Sequence, residues 1–346
     1  MRTVEFRFVV IRNGADFGEL RAVDRGSLQL RMNSGDSIKT GLSGSFLDPG
    51  SDYNLLTDQI RPELIIDGVV HHLGVFLPAS VRPIKDTTGS HIQIEAYDRG
   101  WIVRDSRLEN LLHLDAGTSY QQAIEARLAE SGIALVSAVE STATLPEDRE
   151  WNVGTSRLDI VNELLAEINY NPLWFDQEGT AILEPVSVPV AANIEHTLDS
   201  DDVKSLMMPT MQREVDIYNA PNVFIAVCSN PDKTGVIRAV SVNTNPQSPL
   251  SIGRRGRRIC QVITVDNIAD QTELQALADR ARNDSMITGE QISLTTGLLP
   301  GYGVDDVVGI HYDDLFAIAI DRAWTMDLRP GGLMQHTLEK VVVNLG

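Results

Sequence analysis

Residues 1–100 contain short apolar segments in which every second side chain faces the same way, and this period favours β-structure. Residues 4–10 read VEFRFVV, so the apolar even-numbered positions share one face of an extended strand. In residues 63–70, ELIIDGVV, the dipeptide Asp67-Gly68 separates two apolar runs and suits the type I′ turn of a hairpin. Strands of this kind, punctuated by Gly and Asp, predict a small barrel or sandwich.

Helical periodicity begins after this region. Residues 118–131 place apolar side chains at intervals of three and four, and Thr118 with Gln121 has the spacing of a capping box. A second helix is predicted to start at Ser156. Because a short apolar run follows each helix, the sequence predicts a compact α/β segment between two β-rich regions.

The sequence returns to strands from about residue 194. Residues 214–228 and 235–243 are predicted to pair through a turn at 229–232, and one more helix is predicted after Asp270. The order of the elements is therefore β, then α/β, then β. Elements segregated in this way indicate an α+β protein rather than a doubly wound parallel sheet.

Acidic residues outnumber basic ones: 48 Asp and Glu against 29 Lys and Arg give a formal net charge of −19. Nucleic-acid readers usually carry the opposite sign, because they bind phosphates through Lys and Arg. No apolar run approaches the roughly 20 residues of a membrane-spanning helix, so we expect no stable membrane insertion. Arg2, Glu5 and Arg7 interrupt the apolar N-terminus, which disfavours a secretion signal and predicts folding in the cytoplasm.

Motifs that carry chemistry are missing from the sequence, which has no HExxH, GxSxG, phosphate-binding loop or GxGxxG after a strand. His71 and His72 are neighbours on a predicted strand, so they point to opposite faces and make a poor metal site. Cys228 and Cys260 lie in predicted strands, where two buried free thiols are expected and a disulfide is the alternative. We predict no catalytic residue, no cofactor and no metal.

Three acidic pairs are the remaining candidates for chemistry. A glycosidase needs two carboxylates that face each other across a cleft, and a calcium loop needs a longer series of oxygen ligands. Each pair lies among turn-forming residues, which favours solvated turn carboxylates instead. The pairs are Asp201-Asp202, Asp305-Asp306 and Asp313-Asp314.

One basic cluster stands against this acidic background. Residues 253–258 read GRRGRR and carry Arg254, Arg255, Arg257 and Arg258. Arginines on a glycine-containing loop suit a clamp on a carboxylate-rich neighbouring subunit. They also suit contact with phosphate, and a solvated loop is a third reading. Since the protein is so acidic, we favour the contact with another protein.

The order of several loose motifs resembles the tail hub proteins of tailed phages and related contractile injection systems. None of the motifs is catalytic, and the likeness covers roughly residues 100–346. The motifs are EVDIYNAPNVFIAV from Glu214, Ser248-Pro249-Leu250-Ser251 with Gly256-Arg257, the alanine-rich helix of residues 275–282, Gly297 with Pro300-Gly301, Asp306-Val307-Val308, the final turn at residues 328–332, and the stretch SRLDIVNELLAEINYNPLWFDQEGTAILEP of residues 156–185.

The resemblance implies two similar β-barrels on either side of the insert. The expected domains are a first β-barrel domain at residues 1–100, an α/β insert domain at 101–194 and a second β-barrel domain with one helix at 195–346. Three such subunits would close into a ring of six barrels. That homotrimer would adapt a six-fold tail tube or distal tail protein to a three-fold central spike protein, in a virion tail or injection-machine baseplate assembled in the bacterial cytoplasm.

Two other functions compete with this structural role. A tail-associated peptidoglycan hydrolase would need a carboxylate pair or a zinc triad, which the sequence lacks in recognisable form. A carbohydrate-binding tip protein would show clustered exposed aromatics, yet aromatic residues make up only 5% of the chain. We therefore expect a protein that is not an enzyme. If the ring has a channel, its acidic wall would let DNA pass without specific binding.

Overall fold

The computed structural model describes residues 2–23, 28–87, 89–186, 189–214, 220–228, 237–246, 248–265, 271–287, 290–313 and 315–341. The chain forms two compact units. The first consists of Met1–Val188, Thr296–Asp305 and Arg322–Gln335, and the second of Pro189–Thr295, Asp306–Asp321 and His336–Gly346. The expected turn at 229–232, the helix cap Asp270 and the acid Asp314 lie outside the described residues.

The first unit holds most of the strands. They are β1 (Val4–Arg12), β2 (Ala15–Leu20), β3 (Gln29–Asn33), β4 (Thr40–Leu47), β5 (Gln59–Ile66), β6 (Val69–His72), β7 (Phe76–Asp86), β8 (Gly89–Asp98), β9 (Leu112–Leu114), β10 (Val136–Ala138), β11 (Arg149–Trp151), β12 (Trp174–Phe175) and β13 (Ala181–Leu183). Its helices are α1 (Gly100–Asp105), α2 (Tyr120–Glu130) and α3 (Arg157–Glu167).

The large sheet of the first unit is antiparallel and has the order β3-β4-β8-β7-β5-β1-β2, with β6 beside β5. The period-two segment forms β1 as predicted, although Phe8 to Ile11 are buried on both faces of the strand. Asp67 and Gly68 have φ values of 50° and 83° between β5 and β6. Both signs fit a type I′ turn, so the predicted hairpin is confirmed.

Closure into a barrel is only partial in this sheet. Over its own length β2 pairs with β1 alone. Beyond it, Val23 N donates to Ser45 O at 3.0 Å and Leu47 N donates to Arg21 O at 2.8 Å. These bonds bring the chain after β2 beside β4. Even so, none of the sheets formed by the described residues closes into a complete ring of paired strands, so the prediction of two barrels is not confirmed. The mixture of mostly strands with a few helices does confirm the predicted α+β class.

The insert has its own core between α2, α3 and two small sheets. Leu128, Leu158 and Leu165 are buried there, as the predicted helical stripes require. Ser156 caps α3 by accepting from Leu158 N at 3.2 Å, which confirms that predicted start. The predicted cap of α2 is wrong by one residue, because Ser119 rather than Thr118 accepts from a backbone N–H of the first turn.

The second unit contains the following elements. They are β14 (His196–Asp199), β15 (Met207–Glu214), β16 (Val223–Cys228), β17 (Ile237–Val242), α4 (Ile252–Arg255), β18 (Cys260–Val265), α5 (Gln271–Ile287), β19 (Gln291–Gly297) and β20 (Val307–Tyr312). Strands β21 (Leu315–Asp327) and β22 (Leu333–Val341) contain residues of both units. Among the described residues, none of the helices has the length and apolar character to cross a membrane.

A buried ionisable pair lies within the second unit. His336 Nδ1 is 2.7 Å from Asp321 Oδ2, and neither side chain is exposed to solvent. Burial raises the pKa of the Asp321 carboxyl, because the charged form loses its hydration. The hydrogen bond with His336 partially offsets this cost. The pair therefore links β21 to β22, but the burial of its charges reduces the free energy of unfolding.

In the first unit, a bidentate ion pair holds the loop before β5. Arg12 Nε lies 2.8 Å from Asp58 Oδ1 and Arg12 Nη2 lies 2.7 Å from Asp58 Oδ2. Asn54 N also donates to this fully buried carboxylate, at 2.8 Å. The hydrogen bonds from Arg12 lower the pKa of Asp58 below its ordinary value, because they favour the ionised form.

We expect Asp58→Asn to lower the thermal denaturation midpoint at pH 7. The folded protein holds the ionised Asp58 more tightly than the unfolded chain does. The contribution is therefore complete above the unfolded pKa, about 3.9, and disappears as the pH falls through the lower folded value. The difference between the two proteins should thus shrink below about pH 4. Asp105→Asn, at an exposed carboxylate, is the control; a difference independent of pH contradicts the assignment.

Candidate functional site

The arginine cluster belongs to a small three-stranded sheet in the second unit. The order is β17-β16-β18, with β16 antiparallel to β17 and parallel to β18. Helix α5 covers one face, where Ala226, Ala239 and Leu274 are buried together. Val223 lies opposite Val242 on one side and Cys260 on the other. The connection from β17 to β18 therefore passes the start of β16, and it carries both the SPLS and the GRRGRR motifs.

A buried asparagine ties this connection to the sheet. Asn222 is fully buried and directly precedes β16. Its Nδ2 donates to Leu250 O at 3.2 Å and to Arg257 O at 3.0 Å, and its Oδ1 accepts from Ile259 N at 2.8 Å. All three partners belong to the loop that carries the arginines. The amide group therefore fixes both ends of the loop, since buried polar atoms must be satisfied.

The SPLS motif supplies a second set of bonds. Asn243 Nδ2 donates to Ser248 Oγ at 2.9 Å, and the same hydroxyl accepts from Leu250 N at 3.3 Å. Ser251 caps α4 by accepting from Arg254 N at 3.4 Å. Gly256 ends this single turn at φ +62°, a left-handed conformation that glycine adopts without strain. The two serines of the motif are thus buried structural residues.

The four predicted contact residues are close in the structure but not equivalent. Arg254, Arg257 and Arg258 are exposed, and none of the three bonds to a carboxylate among the described residues. Arg254 Nε donates to Pro246 O at 3.1 Å. Arg255 is half-buried and donates to the carbonyl of Ala220. Three guanidinium groups therefore remain available to another molecule, whereas Arg255 supports the loop.

The acidic pairs occupy turns, but their carboxylates have different kinds of partner. Asp202 Oδ1 accepts from Lys204 N at 2.9 Å, within its own turn. Asp305 Oδ1 accepts from Arg322 Nη1 at 2.8 Å, and Asp306 Oδ2 lies 3.0 Å from His196 Nε2. Asp305 and Asp313 have positive φ values of 60° and 51°. The turn positions agree with the expectation, but the carboxylates of Asp305 and Asp306 are partly buried against Arg322 and His196 and are not simply solvated.

Two groups of His and Asp, separated in sequence, come together in space. His113, Asp115 and Asp148 form one, and Asp199, Asp201 and His311 the other, with ligand-type atoms within 4.8 Å of one another. The sequence did not single them out, because their members belong to different turns. Their atoms already have partners: His113 Nδ1 is 3.0 Å from Glu150 Oε1, and hydrogen bonds to Glu150 and Asp115 raise the pKa of His113.

The two cysteines differ from the expectation. Both are free thiols, as predicted, and the register of the sheet explains why they do not pair. Cys260 lies opposite Val223 and Cys228 lies opposite Val265, at the two ends of neighbouring strands. The prediction that both are buried is wrong for Cys260, which is exposed because β18 is an edge strand.

Solved structures of phage tail proteins share this fold. The 43 kDa tail protein of prophage MuSo2 from Shewanella oneidensis is 12% identical, with a TM-score of 0.67 over 96% of this chain and 98% of that chain. A tail protein from Neisseria meningitidis MC58 is 14% identical, with a TM-score of 0.65 over 96% of each chain. Prophage tail protein gp18 from Listeria monocytogenes EGD-e is 11% identical, with a TM-score of 0.61 over 96% of this chain and 94% of that chain.

Sequence comparison adds nothing to this likeness. No protein-family model matches the chain, and no curated protein matches it. The structural match nevertheless extends along nearly the whole of both chains. The chain therefore has the fold of phage tail proteins, which agrees with the resemblance found in the sequence.

Asn222→Ala should release the arginine loop. Three hydrogen bonds disappear and buried backbone groups lose their partners, which costs about 1–3 kcal/mol of unfolding free energy. We expect trypsin to cleave the variant within residues 254–258 faster than the parent protein, as measured by mass spectrometry of the first fragments. Asn152→Ala, at an exposed asparagine, is the control. Equal cleavage rates in all three proteins contradict this role for Asn222.

Proposed function

We propose that this protein is a structural subunit of the hub at the end of a phage-like tail or contractile injection machine. The observation that carries the proposal is the shared fold, which spans 96% of this chain in three phage tail proteins. The local roles of the conspicuous polar residues support it too. The serines and asparagines around the arginine loop build the loop itself, Asp202 bonds within its turn, and Asp305 and Asp306 bind Arg322 and His196.

The proposal extends to a trimeric ring that adapts a six-fold tail tube or distal tail protein to a three-fold central spike. Each subunit would contribute barrels from residues 1–100 and 195–346, on either side of the insert at 101–194. The bonds from Val23 N to Ser45 O and from Leu47 N to Arg21 O support the first barrel, since they begin to close its sheet. A ring also covers strand edges that a single subunit leaves open.

The net negative charge of the chain supports a place beside a channel through which DNA passes. The net charge of −19 supports a wide ring channel on whose wall acidic residues outnumber basic ones, because contacts between cations and phosphates, which release counterions and add affinity, would then be outweighed by repulsion. The arginine loop would then contact another protein of the assembly, with Arg254, Arg257 and Arg258 outermost. No cofactor is needed for such a role, and the place of action is the virion tail or baseplate, assembled in the bacterial cytoplasm.

We expect the purified protein, or the protein within assembled particles, to have the mass of a trimer by native mass spectrometry. Changing Arg254, Arg257 and Arg258 together to Ala should weaken self-association while leaving the denaturation midpoint unchanged. Each contact contributes roughly 1.5–3 kcal/mol if the interface buries it and less than about 1 kcal/mol if it stays exposed. Arg329→Ala, at an exposed arginine of the first unit, is the control.

Unaltered assembly of the triple variant, combined with loss of DNA binding, would reassign the loop to phosphate contact. A six-fold copy number or a strict monomer within the particle would contradict the ring.

A peptidoglycan hydrolase is the competing function. We expect no clearing in a zymogram of cell-wall material, because the sequence has no recognisable nucleophile, zinc-ligand or paired-acid motif, and Asp305 and Asp306 are already bound by Arg322 and His196. Clearing by the purified chain that disappears on Asp201→Asn or Asp305→Asn would show an enzyme instead. Glu109→Gln, at an exposed carboxylate elsewhere, controls for a general effect of removing an acid.

A further inference from the structure

The outer face of the three-stranded sheet, opposite α5, is apolar and partly open. Following the registers of the sheet, it consists of alternate residues of β16, β17 and β18. The members are Val223, Ile225, Val227, Arg238, Val240, Val242, Cys260, Val262 and Thr264. Val262 is 61% exposed. In a chain with 48 acidic residues, this face carries no carboxylate.

Strand β18 is the edge of that sheet and has none of the usual protection. It pairs only with β16 among the described strands. Its sequence, CQVITV, holds no charge, no proline and no glycine, and four of its six residues are exposed. Natural edges are normally shielded by charges, prolines or bulges, since a bare apolar edge recruits other strands. An edge of this kind is suited to being covered in the assembled protein.

The surroundings of β18 select an acidic occupant. Arg257 and Arg258 are exposed directly before the strand, and Arg238 is exposed at the far end of the outer face. An apolar strip rimmed by arginines complements an apolar segment that is flanked by carboxylates. Because this chain is itself strongly acidic, a second copy meets that requirement.

One strand of the first unit has the matching properties. β10 is the edge of the sheet β10-β13-β12 and pairs only with β13 among the described strands. Bonds from Ala181 N to Leu135 O and from Val139 N to Leu183 O extend its pairing to five residues, 135–139. Leu135 and Val139 are 54% and 51% exposed. Exposed Glu140 follows directly.

We propose that β18 of one copy pairs antiparallel with β10 of the next copy. Antiparallel pairing brings the start of β18 beside the end of β10, so the arginines before β18 meet Glu140. It also joins the exposed row of Cys260, Val262 and Thr264 to the exposed row of Leu135, Ser137 and Val139. This inference deepens the proposed ring, on which it rests, by naming the strands that form the contact.

The contact joins two different surfaces of the same chain. Such a head-to-tail arrangement closes into a ring when the rotation between copies permits and otherwise continues as a filament. Pairing of β10 with β10 leaves Glu140 without a base. Opposite flanking charges thus favour the unlike pair over pairing of β10 with itself.

Exposed Cys260 provides a direct probe. Two pairing registers place the exposed row of β18 on the same face as the exposed row of β10 and also keep Glu140 near Arg257 and Arg258. In these registers Cys260 lies opposite Ser137 or opposite Val139. In a Cys228→Ala background, we expect Ser137→Cys or Val139→Cys to give disulfide-linked chains under mild oxidation, seen by non-reducing electrophoresis. Val153→Cys, at a residue of the first unit that is 63% exposed but outside β10, is the matched control and should give no such links.

The outcomes separate this contact from the ring. Closed, disulfide-linked trimers support both the pairing of β18 with β10 and the trimeric ring. A series of disulfide-linked oligomers of increasing size supports the strand pairing and contradicts the ring. A trimer by mass without the disulfide overturns the contact and leaves the ring. Dimers that form through Cys260 alone, before any cysteine is added, also overturn it, because they show pairing of β18 with itself. A protein that stays monomeric with reactive Cys260 overturns both.

A second set of variants tests the charges without cysteines. Glu140→Arg should weaken self-association about tenfold, as a tenfold change corresponds to about 1.4 kcal/mol. Combining it with Arg257→Glu and Arg258→Glu should restore the parent affinity, measured by sedimentation velocity. Glu109→Arg, at an exposed acid outside β10, is the control. Additive losses instead of restoration contradict the proposed pairing.

Discussion

Hydrogen bonding at strand edges is the constraint on which this structure depends. Each interior strand satisfies its backbone on both sides, but edge strands leave N–H and C=O groups open. The large sheet meets the problem near β2, where Leu47 N donates to Arg21 O and Tyr53 packs over Gly18. β10 and β18 have no such cover among the described residues. The proposed pairing of β18 with β10 of another copy would cover both edges.

Buried polar groups specify the geometry of the loops between strands. Asp58 fixes residues 52–58 through Arg12 and Asn54, and Asn222 fixes the arginine loop through three backbone groups. In both places one buried side chain satisfies several groups of a distant segment. Breaking such a network leaves the remaining polar atoms without partners, which costs more than the bonds themselves contribute. Both loops are therefore fixed by buried side chains beneath them.

Charge is distributed in a way that suits assembly. The surface as a whole is acidic, yet the described residues of the outer face of the sheet β17-β16-β18 include no carboxylate, and exposed arginines lie beside them. A uniformly acidic protein repels its own copies, while one basic, apolar region makes a single orientation favourable. The excess of acidic over basic residues, 48 against 29, opposes attraction to the phosphates of DNA.

The sequence by itself determined the α+β class, the type I′ turn at Asp67 and Gly68, the start of α3 at Ser156 and the turn character of the acidic pairs. These features follow from local periodicity and local hydrogen bonding. The tertiary structure decided that Cys260 is exposed, that Ser119 rather than Thr118 caps α2, and that Arg255 turns inward while its neighbours face solvent. It also revealed Asn222, whose only sequence signal is a polar residue directly before a buried strand. Exposure and partners depend on which strand lies at an edge, and segments far apart along the chain settle that.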